Sequence, residues 1–319
     1  MTRCKSPYRR ELPQLKERPF LTDGGLETTL CFQEGWELPE FAAFVLLDSA
    51  SGRQSLQSYY RRYIAIALKH RAGLILESPT WRASLDWGER IGYNPTELND
   101  INHRAIDLLA ELRDQSANPS TPMVISGCIG PQGDGYAPES RMSADAAAEY
   151  HWVQARTFAA SAADMLSALT MTYTDEAIGV VRAAEAVEMP IVISFTVETD
   201  GRLPTGPSLE DAIETVDQAT LVPPAYYMIN CAHPEHFTPQ LNNGGQWLKR
   251  IGGLRSNAST KSHAELDDTT ELDDGNPADF GLAHTRLQAL LPRLGVYGGC
   301  CGTNERHIQA VAQHCLHGH

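Results

Sequence analysis

Eight short apolar runs, each followed by a segment of helical character, constrain this chain more than any other feature. They are PFLTDGG (19–25), AGLILESP (72–79), PMVISGCIGP (122–131) and ADMLSALTMT (163–172), then PIVISFTV (190–197), AYYMINCAH (225–233), IGGLRSNAS (251–259) and LGVYGGCCG (294–302). Each is rich in branched or aromatic residues, and most are bounded by Gly, Pro or Ala. Near-continuous apolar runs are what a parallel sheet buried on both faces requires.

The segments between them carry helical spacing. Residues 55–71 place Tyr59, Tyr63, Ile66, Ala67 and His70 on one face, and 96–115 does the same with Leu98, Ile101, Ala105, Leu108, Leu109 and Leu112. The alanine-rich stretch 143–163 has Ser143 as its N-cap candidate, and Thr303 is the candidate cap of the last helix. Segments 174–188, 208–219, 279–292 and 303–316 also read as helices, and 234–250 reads more weakly. The pattern predicts an α/β protein, a single-domain (β/α)8 TIM barrel, and 319 residues is a suitable length. The competing architecture, a doubly wound open sheet, lacks its signature. No strand leads into a dinucleotide fingerprint, and the glycines of GPQGDGYAP (130–138) do not open straight into a helix.

Residues 1–18 are a basic N-terminal extension without the apolar core of a signal peptide, and 19–319 form the barrel. The polar, acidic stretch 256–281 is long for a βα connection. In a barrel it projects from the C-terminal face, where active sites are built. No apolar run is long enough to span a bilayer. With 26 basic and 40 acidic residues the net charge is −14, which argues against a nucleic-acid or membrane partner. The expectation is a cytoplasmic enzyme acting on small molecules.

Chemistry collects at the strand ends. The first strand ends in Asp23, Gly24 and Gly25, the second near Glu77 and Thr80. The sixth ends in Asn230, Cys231 and His233, and the eighth in the adjacent pair Cys300 and Cys301. In a barrel these ends meet at one mouth, so Cys231 faces the pair. Three converging thiols suit zinc, a soft-ligand tetrahedral ion, and three protein ligands leave one position open. Glycines 298, 299 and 302 let neighbouring residues turn toward one ion. Three thiolates on Zn2+ carry net charge −1. That is a poor setting for activating water, but a good one for holding a substrate thiol as a nucleophilic thiolate. Alkylation of a substrate thiol follows.

These residues resemble the zinc-dependent homocysteine S-methyltransferases. The likeness runs through TDGGLETTL (22–30), SGCIGP (126–131), ISFTVETDGRLPTGPSLEDAI (193–213), INCAHPEHF (229–237) and GGCCGTNERHI (298–308). The resemblance implies a (β/α)8 barrel with zinc on Cys231, Cys300 and Cys301. It also implies methyl transfer to homocysteine from a sulfonium, betaine or folate donor, giving methionine. It places Asp23 and Thr170 near the amino acid and Asn230 in the strand-six motif.

The chain departs from the family pattern at several points. The family's Glu-Thr pair on strand four is Leu169 and Thr170 here, which removes a carboxylate for the substrate ammonium. Glu77, where a neutral residue is common, replaces it together with Asp23 in our reading; the rival is a different thiol acceptor. The strand-seven region lacks the family's short Pro-Asn-Gly stretch, and Arg82 stands where betaine-using members tend to have tyrosine. With no second domain for cobalamin or folate, S-methylmethionine or S-adenosylmethionine is the expected donor.

Plainer readings stand beside these. Cys4, Cys31, Cys128 and Cys315 read as core residues. His233 and His236 read as helix-start residues ahead of ligand partners, and the terminal HCLHGH as a frayed end. For Asp23 the plainer role is satisfying backbone amides, and for Glu77 an unrelated ion pair. Two further functions remain open: a non-catalytic zinc or redox-sensing barrel, and a barrel enzyme for another reaction with its cysteines in the core.

Overall fold

The computed structural model describes residues 6–16, 18–138, 140–267 and 271–316. Eight parallel strands close into a barrel in sequence order: β1 (Phe20–Leu21), β2 (Gly73–Glu77), β3 (Met123–Ile129), β4 (Met165–Met171), β5 (Ile191–Phe195), β6 (Tyr227–Asn230), β7 (Ile251–Ser256) and β8 (Val296–Gly299). β1 closes on β8 through Phe20 opposite Val296 and Leu21 opposite Tyr297. Every strand residue is buried, the reason the sequence shows runs instead of alternation.

The outer ring consists of α1 (Ala50–His70), α2 (Pro95–Ser116), α3 (Ala144–Ala159), α4 (Thr174–Ala186), α5 (Leu209–Ala219), α6 (Pro234–Leu241), α7 (Pro277–Gln288) and α8 (Glu305–Cys315). α2 starts at a capping box of Asn94 and Glu97, with Pro95 in the first turn, and buries the apolar face read from its spacing. Ser143 caps α3 by accepting from the Ala146 amide. Pro239 lies inside α6, where its missing N–H and its ring disfavour continuation, and α6 ends at Leu241. The remainder of the weakly helical 234–250 segment is a short 3-10 turn, Gln246–Arg250.

Thr303 does not cap α8; Asn304 does, through Oδ1 and the Arg306 amide at 3.0 Å. The Thr303 hydroxyl is instead engaged with the Cys300 carbonyl at 2.7 Å and the Gly25 amide at 3.1 Å. Among the described residues no helix is long and apolar enough to cross a membrane. The segment before β1 reaches the opposite end of the barrel, where Arg9 bonds the carbonyls of Ala159, Ser161 and Ala163 at the α3–β4 turn. Cys4 and residues 317–319 of HCLHGH lie outside the described residues, as does part of the extension.

Candidate active site

The strand C-termini open into one cavity of about 550 Å³, a size suited to small-molecule ligands. Cys231 follows β6, Cys300 and Cys301 follow β8, and their sulfurs all lie within 4.8 Å of one another. Among the described residues this is the one cluster of three His, Cys, Asp or Glu side chains with that spacing. Cys231 and Cys300 are joined to each other here, with Cα atoms 5.3 Å apart, and Cys301 is outside that bond. The sequence leads one to expect three thiols and no disulfide. Barrel closure brings two strand ends within disulfide reach, which sequence separation conceals. Zinc–sulfur bonds of about 2.3 Å in a tetrahedron set sulfurs about 3.8 Å apart, within the spread of this cluster once reduced. The residues therefore fit a zinc ion.

Backbone conformation positions these side chains. Cys231 has φ 53° and Thr170, at the end of β4, has φ 65°, both unusual for residues with a side chain. Asn230 braces this region. Its Oδ1 accepts from the Thr170 amide (2.9 Å) and the Ser194 hydroxyl (2.6 Å), and its Nδ2 donates to Thr170 Oγ1 (2.8 Å). Nδ2 also points at Cys300 Sγ, 3.9 Å away. Asn230 is thus a positioning residue, with its polar atoms engaged by protein.

The glycines act differently from the expectation. Only Gly302, at φ 78°, needs its conformational freedom. A Cβ on Gly298 would lie 1.8 Å from Thr22 Oγ1, and one on Gly299 2.0 Å from Thr303 Oγ1. Gly298 is small because the end of β1 packs against it, and Gly299 because the turn after β8 folds Thr303 back over it.

Asp23 and Glu77 are both buried in the cavity wall, with a cation between them that sequence reasoning missed. Arg255, at the end of β7, pairs with Asp23 Oδ1 at 2.7 Å and donates to the Thr22 hydroxyl. Burial works against its charge, but Asp23 and Glu77 outweigh it and hold the guanidinium protonated more firmly than usual. Tyr59 donates to Asp23 Oδ2 at 3.1 Å, so the carboxylate serves side chains and not backbone amides. Ser167 donates to Glu77 Oε1 at 3.0 Å, while Oε2 is buried without a hydrogen bond. Burial raises the Glu77 pKa, and Arg255 and the Ser126 and Ser167 hydroxyls pull it back. The available signal was a lone charged residue near the end of an otherwise apolar strand. In a parallel barrel such an end faces the mouth.

The outer wall comes from loops. Tyr136, after β3, stacks on His263 with centroids 4.1 Å apart, and its hydroxyl lies 3.9 Å from Cys301 Sγ. His263 belongs to a short helix, His263–Asp267, in the acidic 256–281 stretch, from which His263, Leu266, Glu271, Leu272 and Asp273 line the cavity. Burial pushes the His263 pKa down to about 4, keeping the ring neutral. Glu27 lines the same space, and burial pushes its carboxyl up to about 7. Cys128 is buried at the cavity floor, and burial holds its thiol well above the usual range. Cys315 is buried as expected, while Cys31 is only partly so. His233 caps α6, accepting from the Glu235 amide at 3.3 Å, and His236 bonds the Thr260 carbonyl at 2.9 Å.

A (β/α)8 barrel with a cysteine cluster, buried carboxylates and an arginine at its C-terminal mouth has the layout of an enzyme active site. The chain belongs to the homocysteine S-methyltransferase family, whose sequence profile matches residues 20–315, and it is a methyltransferase. Similar solved structures include the homocysteine methyltransferase MmuM from Escherichia coli. Its metallated form is 20% identical, with 93% of this chain and 96% of that one covered and a TM-score of 0.72. Its oxidized form is 19% identical, with 95% and 98% covered and a TM-score of 0.71. At that identity the likeness is one of fold.

Proposed function

We propose that this chain methylates the thiol of homocysteine, giving methionine, at a zinc ion held by Cys231, Cys300 and Cys301, with a sulfonium compound as donor. The observation that carries the reading is the convergence of three sulfurs from two strand ends in the cavity. Bound there, the ion would lower the pKa of a substrate thiol at its fourth position while the anionic sulfurs keep that thiol nucleophilic. The surrounding residues then need to bind and orient, and no strong general base is required.

Arg255 is suited to the homocysteine carboxylate, as a planar fork already neutralised on one side by Asp23. Glu77, with its second oxygen unbonded, is suited to the ammonium. Glu77 thereby offsets the loss of the strand-four carboxylate, since Leu169 contributes only an apolar surface. Thr170 lines the cavity with its amide already committed to Asn230, leaving the outer face of its side chain for the substrate. Tyr136 closes over Cys301 and helps exclude water.

The test is methionine formation by reduced, zinc-supplied protein from homocysteine with S-methylmethionine or S-adenosylmethionine. The reading predicts product that disappears on chelation and returns with zinc. Bound zinc without product from either donor would overturn the homocysteine–sulfonium pairing. The Cys231–Cys300 bond favours a second reading, a barrel that reports oxidation without catalysis. That reading predicts no methyl transfer even in the reduced, zinc-loaded protein.

A further inference from the structure

Arg82 is not used in the acceptor site proposed above, and its setting is unusual. It lies five residues beyond the end of β2, on the cavity wall, and only 8% of its surface is exposed. Its guanidinium is clamped between two indoles, 4.0 Å from the Trp81 ring centroid and 3.5 Å from that of Trp87. Nη1 donates to the Gly133 carbonyl at 3.3 Å, Nε has no hydrogen-bond partner, and among the described residues no carboxylate pairs with it. Burial lowers its pKa to about 10, which still leaves it charged at neutral pH. A buried guanidinium that touches no carboxylate and keeps an unbonded N–H is costly unless a ligand completes it.

Position says which ligand. Tyr136 lines the same cavity as Arg82 and is also the residue that reaches Cys301. In an in-line displacement the leaving sulfur lies on the far side of the methyl group from the attacking thiolate. The body of the donor therefore points away from the cysteines and toward the loops of the mouth, where Arg82 stands. Asp134, Glu27 and Glu40 line the same cavity without pairing with Arg82, so carboxylates able to receive an ammonium lie in the same region. The indole faces that a bare quaternary cation would seek are occupied by the protein's own guanidinium.

We infer that Arg82 is the residue that anchors the carboxylate of the methyl donor. The inference rests on the sulfonium reading above. In the transfer the acceptor thiolate forms the new S–CH3 bond, the donor's CH3–S bond breaks, and its electron pair stays on the donor sulfur. The leaving product is a neutral thioether still carrying its carboxylate.

The test is calorimetric binding of S-methylmethionine and of its methyl ester to the reduced, zinc-loaded full chain, without homocysteine. The ester carries one more net positive charge, so a generally acidic cavity favours it and an arginine anchor disfavours it. Wild type is expected to bind the acid about 10- to 100-fold more tightly than the ester, the range of a charge-assisted hydrogen bond. Arg82→Met is expected to abolish or reverse that preference, and Arg82→Lys to retain part of it, with melting curves confirming that both variants fold. Equal binding of acid and ester by wild type overturns the assignment, and so does a preference that survives in Arg82→Met. Because binding needs no turnover, failure to form methionine counts against the proposed reaction, while the acid–ester contrast alone decides the role of Arg82.

Discussion

Replacing Arg255 with Met tests the inner half of the cavity. The substitution keeps the volume of the side chain's stem and removes the charge that faces Asp23 at 2.7 Å and offsets Glu77. Breaking a buried pair by removing one partner costs about 3–5 kcal/mol, because the other charge stays buried and unpaired. For a chain of this size that lowers the melting temperature by roughly 5–10 °C. If Arg255 also holds the homocysteine carboxylate, about 2–5 kcal/mol of binding goes with it. That corresponds to roughly a 30-fold or greater rise in the homocysteine KM, while the donor KM stays nearly constant. Steady-state methionine formation with each substrate varied in turn reads the two constants separately. Adding Asp23→Asn to Arg255→Met removes the leftover charge and should recover part of the stability without restoring binding. A stable Arg255→Met protein with an unchanged homocysteine KM would refute the reasoning.

Further outcomes follow from particular contacts. Asn230→Ala removes three short hydrogen bonds, two of which hold Thr170 in its left-handed conformation while the third ties in Ser194; a loss of about 2–4 kcal/mol is expected in denaturant unfolding, and wild-type stability would show the brace to be dispensable. Gly298→Ala sets a Cβ 1.8 Å from Thr22 Oγ1 and should cost about 1–3 kcal/mol, whereas Gly295→Ala, whose Cβ meets nothing nearer than 3.9 Å, should be close to neutral. The Glu27 carboxyl, raised from 4.5 to about 7, holds a proton in the folded state that the unfolded chain has lost. It therefore makes stability fall as pH rises from about 4.5 to 7 and level off above. In Glu27→Gln that component should vanish, seen as a melting-temperature difference from wild type that grows across this window and then stays constant; a flat difference would contradict the shift.

The strands were legible because burial on both faces leaves no room for polar residues, so each shows as a run. Helices with a strong apolar face, such as Pro95–Ser116, were legible for the same reason, as were the strand ends carrying Cys231 and the cysteine pair. What escaped depended on partners remote in the chain. Thr303 and Asn304 are both good caps, and only the packing of Gly25 and Cys300 on the threonine decides between them. Arg255 looks like one charge in an apolar strand until closure places it against Asp23, from the far end of the sequence. The indole clamp on Arg82 needs the turn into the short helix Leu85–Arg90, which brings Trp87 back over the guanidinium. No spacing rule announces the stacking of Tyr136 on His263, because it joins two irregular loops.

The central claim is that three cysteines hold one zinc with a position open for the substrate thiol. X-ray absorption at the zinc edge on reduced, zinc-loaded protein, before and after homocysteine, tests it most directly. The account predicts one zinc per chain with three sulfur neighbours and one lighter atom, changing to four sulfurs at about 2.3 Å on addition of homocysteine. A shell with fewer than three sulfurs, or one unchanged by homocysteine, would contradict it.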